Sequence, residues 1–322
     1  MFNNKVIAVV IPSYKVTKHI LGVINTMPTY VDHIIIVDDC CPEQSGDFVR
    51  ANNRDSRVKI LKHAMNMGVG GAVLTGYREA MDLRVDIVVK VDGDGQMRPE
   101  IMHHFIKPIA DGVCDYTKGN RFFNPSGLSS MPVVRRIGNA GLSFMTKVSS
   151  GYWQIMDPTN GYTAISTQTL RQLDFAKLAK RYFFESDMLF RLGTIRATVK
   201  DIAMVAVYGD EVSNLKVGHS LVTFFKGNVI RTFKRLAYLY FIRDFNLGSL
   251  YLLFSLPLLF GAAIYGTYRW VLAIQTNTLT PVGTLFLVAL PFIVGVQLFL
   301  NFLSYDVLSV PSEPITDWSD PA

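Results

Sequence analysis

Asp92 and Asp94 stand one residue apart, separated by Gly93 and followed by Gly95 and Gln96, at the end of the run Ile87-Val88-Val89-Lys90-Val91. Two carboxylates with an amide oxygen close behind are hard donors, a set that suits Mg²⁺ or Mn²⁺ shared with substrate phosphates rather than zinc. The intervening glycines let a phosphate approach the backbone closely. Asp-Gly pairs also form solvated turns, so this segment alone does not separate a site from a turn. Further polar groups follow other apolar runs: Pro12-Ser13-Tyr14 after Val6 to Ile11, and Asp38-Asp39 after His33 to Val37. Asp39 can accept hydrogen bonds from a base or ribose, or cap a turn; Tyr14 can cover a base, or be a core aromatic with its hydroxyl at the surface.

The elements that must position these groups alternate along the chain. Runs at Val6 to Ile11, His33 to Val37, Val58 to Lys62 and Asp86 to Val91 read as buried strands, with helices over Lys18 to Met27 and about Gly70 to Met81 between them. Such alternation predicts an α/β fold with a mainly parallel, Rossmann-like sheet. Right-handed crossovers then bring the carboxyl ends of the first, second and fourth strands to one rim, where open α/β sheets bind ligands. Asn66-Met67-Gly68-Val69-Gly70-Gly71-Ala72 opens a helix with glycines whose backbone N–H groups can face a phosphate. It is not a P-loop, and the glycines can equally serve close helix packing.

The 322 residues are 49% hydrophobic, and that excess is concentrated near the carboxyl end. Between Asp244 and Asp306 the only charged residue is Arg269. Phe245 to Tyr268 and Val282 to Phe302 each suffice to cross a hydrocarbon core of about 30 Å, which predicts a two-helix transmembrane hairpin. Pro257 and Pro291 are tolerated in such spans. The net charge of +6 is weighted toward Lys226, Arg231, Lys234, Arg235 and Arg243, just before the hairpin, so phospholipid rather than nucleic acid is the expected partner. In that segment Val222, Phe225, Val229, Phe233, Leu236 and Tyr240 recur at spacings of three and four opposite Arg231, Lys234 and Arg235, the pattern of an interfacial amphipathic helix. Cys40, Cys41 and Cys114 have no metal-ligand spacing and read as reduced thiols. No signal-peptide pattern opens the sequence, and the positive-inside rule places the head and the C-terminus in the cytosol.

The combination of Ile-Pro-Ser-Tyr, Val-Asp-Asp, Asn-x-Gly-x-Gly-x-Ala and Asp-Gly-Asp-Gly-Gln-Met-x-Pro-Glu resembles family 2 glycosyltransferases of GT-A fold. Within them the chain is most similar to polyprenyl-phosphate glycosyltransferases related to dolichyl-phosphate mannose synthase. The resemblance implies that Pro12, Tyr14, Asp38, Asp39, Asn66, Gly70 and Asp92 bind the nucleotide sugar, and that Asp92, Asp94 and Gln96 hold Mg²⁺ or Mn²⁺ on its pyrophosphate. One departure is Lys15-Val16 where the family commonly has Asn-Glu.

After a strand at Asp115 to Gly119, Arg121, and Arg135 at the start of the next helix, resemble the family's phosphate-binding arginines. Asp157-Pro158-Thr159-Asn160-Gly161-Tyr162 resembles the segment beneath the donor sugar, where Asp157 would meet sugar hydroxyls. Lys216 resembles a juxtamembrane lysine near the acceptor phosphate. Asp94, Arg121 and Asp157 are thus the expected catalytic group. A helix at Arg181 to Leu192 carries Glu185 and Asp187, either of which would be the base if the acceptor were a hydroxyl.

The expected organisation is a GT-A domain at 1–215, a juxtamembrane region at 216–244, two spans within 245–306 and a cytosolic tail at 307–322. The expected reaction is inverting transfer of a hexose from a UDP- or GDP-sugar to undecaprenyl or dolichyl phosphate. A hydroxyl acceptor on a polysaccharide or glycolipid, and a nonenzymatic sugar-nucleotide-binding membrane partner, are the alternatives. The sequence leaves open whether the chain forms a homo-oligomer.

Overall fold

The computed structural model describes residues 1–123, 133–204 and 217–315. Seven strands form one sheet in the order β3-β2-β1-β4-β6-β5-β7. They are β1 (Ile7–Ser13), β2 (His33–Asp38), β3 (Val58–Lys62), β4 (Ile87–Lys90), β5 (Tyr116–Asn120), β6 (Thr163–Ser166) and β7 (Val199–Ala203). The first four pair in parallel, as the alternation predicts, and β5 pairs in parallel with β7. Among the described strands only β6 runs against its neighbours, joining β4 to β5. It was not anticipated: Thr-Ala-Ile-Ser is too short and mixed to announce a strand.

The β-branched residues of β1, β2 and β4 are buried, as strands covered on both faces require. Helix α1 (Ile20–Asn25) is shorter than expected, and α2 (Ser45–Asn52) was not foreseen. Helix α3 (Val69–Asp82) falls within a residue of its predicted bounds. Helix α4 (Met102–Ala110), also unforeseen, places Phe105 against Tyr162, with ring centroids 4.1 Å apart. Helices α5 (Val133–Ser150), α6 (Thr167–Arg171) and α7 (Phe184–Ile195) follow.

The chain divides into two compact units, the first running from Met1 to Phe233 and taking in the segment from Pro311 to Ile315, the second being Lys234–Val310. Most of α8 (Val217–Ala237) belongs to the first unit, and there its amphipathic pattern is used differently from the expectation. Phe224 meets Phe183 edge to face and Asn228 accepts from Ser149 Oγ at 2.6 Å. Arg231, expected to face lipid, binds the buried Asp187 at 2.9 Å, while Val222, Phe225 and Phe233 are exposed. The segment near Ile315 also packs in this unit: its N–H donates to Asp115 at 3.0 Å, and its carbonyl accepts from Gln168.

In the second unit a π-helical turn (Tyr238–Arg243) precedes α9 (Leu247–Thr276) and α10 (Val282–Leu308). Both helices are long and apolar enough to cross a membrane. Each is longer than predicted, which shortens their connection to residues 277–281. Asn246 starts α9 with a capping box in which Ser249 reciprocates. Arg235, also expected at the lipid surface, is buried in a bidentate pair with Asp306 at 2.7 and 2.9 Å, and Tyr240 donates to the same carboxylate. A lone buried guanidinium would be costly, so the amphipathic pattern here specifies an internal ion pair.

Candidate active site

At the carboxyl rim of β1, β2 and β4 lies a cavity of about 520 Å³. Its lining includes Pro12, Tyr14, Asp39, Asn66, Asp92 and Asp94, all named from the sequence, together with Lys15, Gly68, Arg181 and Tyr182. The register sets this up. Ser13 of β1 lies beside Asp38 of β2, and Val10 beside Lys90 of β4, so the residues just beyond these strands emerge together.

Asp92 and Asp94 are the carboxylates of this rim that line the cavity from the loop after β4. Asp94 accepts from the Gln96 N–H at 3.0 Å, which bends the loop. Gln96 itself is not among the lining residues. Two aspartates leave several coordination positions to phosphate oxygens and water, which fits the way Mg²⁺ or Mn²⁺ is held on a diphosphate.

The other two rim aspartates are occupied. Asp38 is fully buried, and its carboxylate accepts from the N–H groups of Cys41 and Gly46, each at 2.7 Å; it builds the loop into α2 and does not line the cavity. Asp39 lines the cavity, but its oxygens accept from Met67 N–H and Gly68 N–H at 2.8 Å and meet His63, whose other nitrogen lies 2.9 Å from Thr75 Oγ1. It thereby shapes the glycine-rich turn. Gly70 serves packing rather than phosphate: a side chain there would collide with the Ala179 carbonyl and Phe184, and Gly70 is not among the lining residues.

Beneath the rim the structure adds a group that was not singled out. Lys90 is 1% exposed and pairs with Asp92 at 2.9 Å and Glu185 at 3.1 Å. Burial favours the neutral amine, but the two carboxylates outweigh it and raise the pKa above its ordinary value. A Cβ at Gly161 would fall on Lys90 Nζ and Asp92 Oδ2, so glycine is required where this turn crosses the pair. The sequence signal was present: a lysine inside an apolar strand run must find a counter-charge. Arg181 and Tyr182 had no comparable signal: the sequence pattern put them in the helix, which instead begins at Phe184, so both lie in the turn before α7 and reach the cavity.

Across the sheet, Arg121 and Asp157 come together. Arg121 Nε and one terminal nitrogen bind the two oxygens of Asp157, both at 2.7 Å, and Asn160 adds a bond at 3.2 Å. Burial works to raise the Asp157 pKa, but Arg121 and Lys118 outweigh it and hold the carboxyl below its usual range. Lys118 is itself fully buried and donates to the Asp157 carbonyl. Desolvation pushes its pKa down to about 8. Nearby Asp201, held by Asn120 and the Met156 N–H, is pushed up to about 6 by burial. Asp187 is fully buried, accepting from Ala179 N–H at 2.8 Å and from Arg231. Arg135 lies in α5, with its side chain outside the described residues, as is Lys216. The three cysteines are free thiols, as expected.

A mainly parallel sheet carrying a carboxylate pair at its rim beside a glycine-rich turn defines an α/β domain with a ligand cavity at its strand ends. Residues 8–174 match the model of Glycosyl transferase family 2, and the chain belongs to that family and is a glycosyltransferase. It is 32% identical over 219 residues to the UDP-N-acetylglucosamine–dolichyl-phosphate N-acetylglucosaminyltransferase of Methanococcus voltae, covering 64% of this chain and 87% of that one. It is 26% identical over 176 residues to the undecaprenyl-phosphate mannosyltransferase of Micrococcus luteus, covering 54% and 71%. Among solved structures, the fold is similar to glucosyl-3-phosphoglycerate synthase from Mycobacterium tuberculosis in complex with Mn²⁺, UDP and phosphoglyceric acid. That match has a TM-score of 0.52 and 16% identity, covering 72% of this chain and 78% of that one. Mannosyl-3-phosphoglycerate synthase from Rubrobacter xylanophilus gives a TM-score of 0.55 at 15% identity, covering 75% and 78%.

Proposed function

We propose that this glycosyltransferase is membrane-bound and moves a hexosyl group from a nucleoside diphosphate sugar to a polyprenyl phosphate with inversion. A lipid phosphate oxygen bonds to the anomeric carbon as the bond to the diphosphate breaks, and the nucleoside diphosphate leaves. Asp92 and Asp94 would hold a divalent cation that neutralises charge on the leaving diphosphate. Pro12, Tyr14, Asn66 and Gly68 line the donor cavity with Lys15, Arg181 and Tyr182, and by family resemblance Arg121, Arg135 and Lys216 would serve the acceptor phosphate.

The observation that carries this reading is the state of the two acids available as bases. A hydroxyl acceptor must lose a proton, whereas a phosphate is already ionised at neutral pH. Asp187 is sealed against Arg231, and Glu185 is held by Lys90, so neither is poised as a base. This favours the phosphate acceptor over the hydroxyl alternative. The polyprenyl-phosphate relatives and the two long apolar helices support the same choice.

The exposed Lys226, Lys234 and Arg243 before α9 favour a cytosolic head. The Ile315 bond to Asp115 supports a C-terminal segment on the same side. Labelling of cysteines placed at Asn277 and Ser312 with an impermeant thiol reagent in intact cells tests this orientation: Asn277 should react and Ser312 should not.

The activity is tested by incubating the detergent-purified chain with polyprenyl phosphate and a panel of UDP- and GDP-sugars that includes UDP-N-acetylglucosamine. Glycosylated lipid phosphate is the expected product. Product on a lipid alcohol with none on the phosphate would overturn the reading.

A further inference from the structure

We propose that Lys90 is the internal counter-charge of the donor site, holding Asp92 from below so that a divalent cation binds weakly to the empty site and firmly only together with a nucleoside diphosphate. This rests on the metal-assisted reading of Asp92 and Asp94.

The geometry separates this role from simple core neutralisation. Lys90 points from the sheet interior, and a buried ammonium needs a partner. Glu185, itself buried, would suffice as a one-to-one partner at 3.1 Å. Yet the ammonium is closer to Asp92, at 2.9 Å, and the Asp92 side chain is 29% exposed and lines the cavity. One lysine therefore links an interior acid to a cavity acid. Gly161 closes over the pair with no room for a Cβ, so the contact is built into the floor of the site.

The charge balance gives the consequence. Without Lys90, a cation arriving at Asp92 and Asp94 would meet two negative charges. With the ammonium on Asp92 and Glu185 balancing it from the interior, the charge that touches Asp92 from below has the same sign as the cation and opposes it at short range and low local dielectric. A nucleoside diphosphate restores the missing negative charge from the solvent side. Cation and nucleotide then strengthen each other's binding by the same factor, because coupling between two ligands is reciprocal. Donor and metal are taken up as a unit, and once sugar transfer has taken place the diphosphate and the metal leave as one.

The test measures Mn²⁺ affinity of the full detergent-purified chain by titration calorimetry, with and without UDP. For the wild-type protein, UDP should tighten Mn²⁺ binding by about tenfold or more. In Lys90→Met, Mn²⁺ should bind the UDP-free protein about tenfold more tightly, and the gain from UDP should shrink correspondingly. Because that change strands Glu185, which would itself attract the cation, Lys90→Met/Glu185→Gln removes both buried charges together, and a smaller tightening of the same sign is expected there, from loss of the ammonium that touches Asp92. A merely structural lysine predicts no tightening in the double variant. Unchanged or weaker Mn²⁺ binding in the folded double variant would overturn the proposal and leave Lys90 as the counter-ion of Glu185. Absence of Mn²⁺ binding by the wild-type protein even with UDP would instead overturn the metal-assisted reading itself.

Discussion

The β3-β2-β1-β4 half of the sheet and the β6-β5-β7 half treat their charges differently. In the first, Asp92 and Asp94 line a cavity, Asp92 with a buried lysine beneath it, and the remaining rim aspartates bind backbone N–H groups, so the half presents carboxylates at a cavity wall. Beside the second, acids and bases meet each other: Asp157 takes Arg121, and Asp187 takes Arg231. An incoming phosphate there must compete with Asp157 for the Arg121 guanidinium. The lesson is that a motif identifies a chemically able residue, while its partner decides whether that ability is offered to a ligand or consumed in the fold.

The largest effect should come from breaking the open side. Asp94→Asn removes charge where a dianionic leaving group must be neutralised, and turnover should fall by about 10³-fold, equivalent to about 4 kcal/mol. Product assays with a melting curve check it: near wild-type activity in excess chelator would place Asp94 outside the chemistry.

On the compensated side, Asp187→Asn should act on stability instead. It leaves Arg231 without its carboxylate partner inside the first unit, and should cost about 3 kcal/mol in chemical denaturation. The pH profile of kcat should keep its shape. Loss of an acidic limb would reinstate Asp187 as a proton acceptor and revive the hydroxyl-acceptor reading.

A pH test sharpens the same contrast. Asp201 has a folded pKa near 6 against an ordinary value of 3.8, so the folded state holds this proton more tightly. Its contribution to stability is fully present below about pH 4 and is lost as pH rises through 6, amounting to about 3 kcal/mol. Asp201→Asn should flatten that slope in denaturation midpoints measured from pH 4 to 7. An unchanged slope would assign the pH dependence to other groups.

The smallest effect returns to the donor half. Gly161→Ala pushes a methyl group onto Lys90 and Asp92, and because the lysine end can shift, the cost should be about 1 kcal/mol in stability. Donor KM should rise by about tenfold, since the displaced group is the one that fixes Asp92. Wild-type KM would mean that Asp92 keeps its place without the floor beneath it.

Local sequence was enough for what depends on neighbours in the chain. The β-branched runs are the strands β1 to β4, the Asp92-Gly93-Asp94 spacing brings two carboxylates to one loop, and the charge-poor stretch after Asp244 becomes two long apolar helices. These are short-range facts of side-chain period, reach and hydropathy. Where function depends on pairing across the chain, only the tertiary structure decided. Nothing near Lys90 specifies Glu185, 95 residues away, nor does anything near Arg231 specify Asp187, 44 residues away. The basic residues of α8 fit lipid and internal carboxylates equally well as a periodic pattern, and the fold chose the carboxylates for Arg231. The inserted antiparallel β6 was equally hidden, because its four residues gain their strand character from β4 and β5 on either side. A buried charge is settled by whichever opposite charge the packing brings within about 3 Å, and sequence order does not encode that distance.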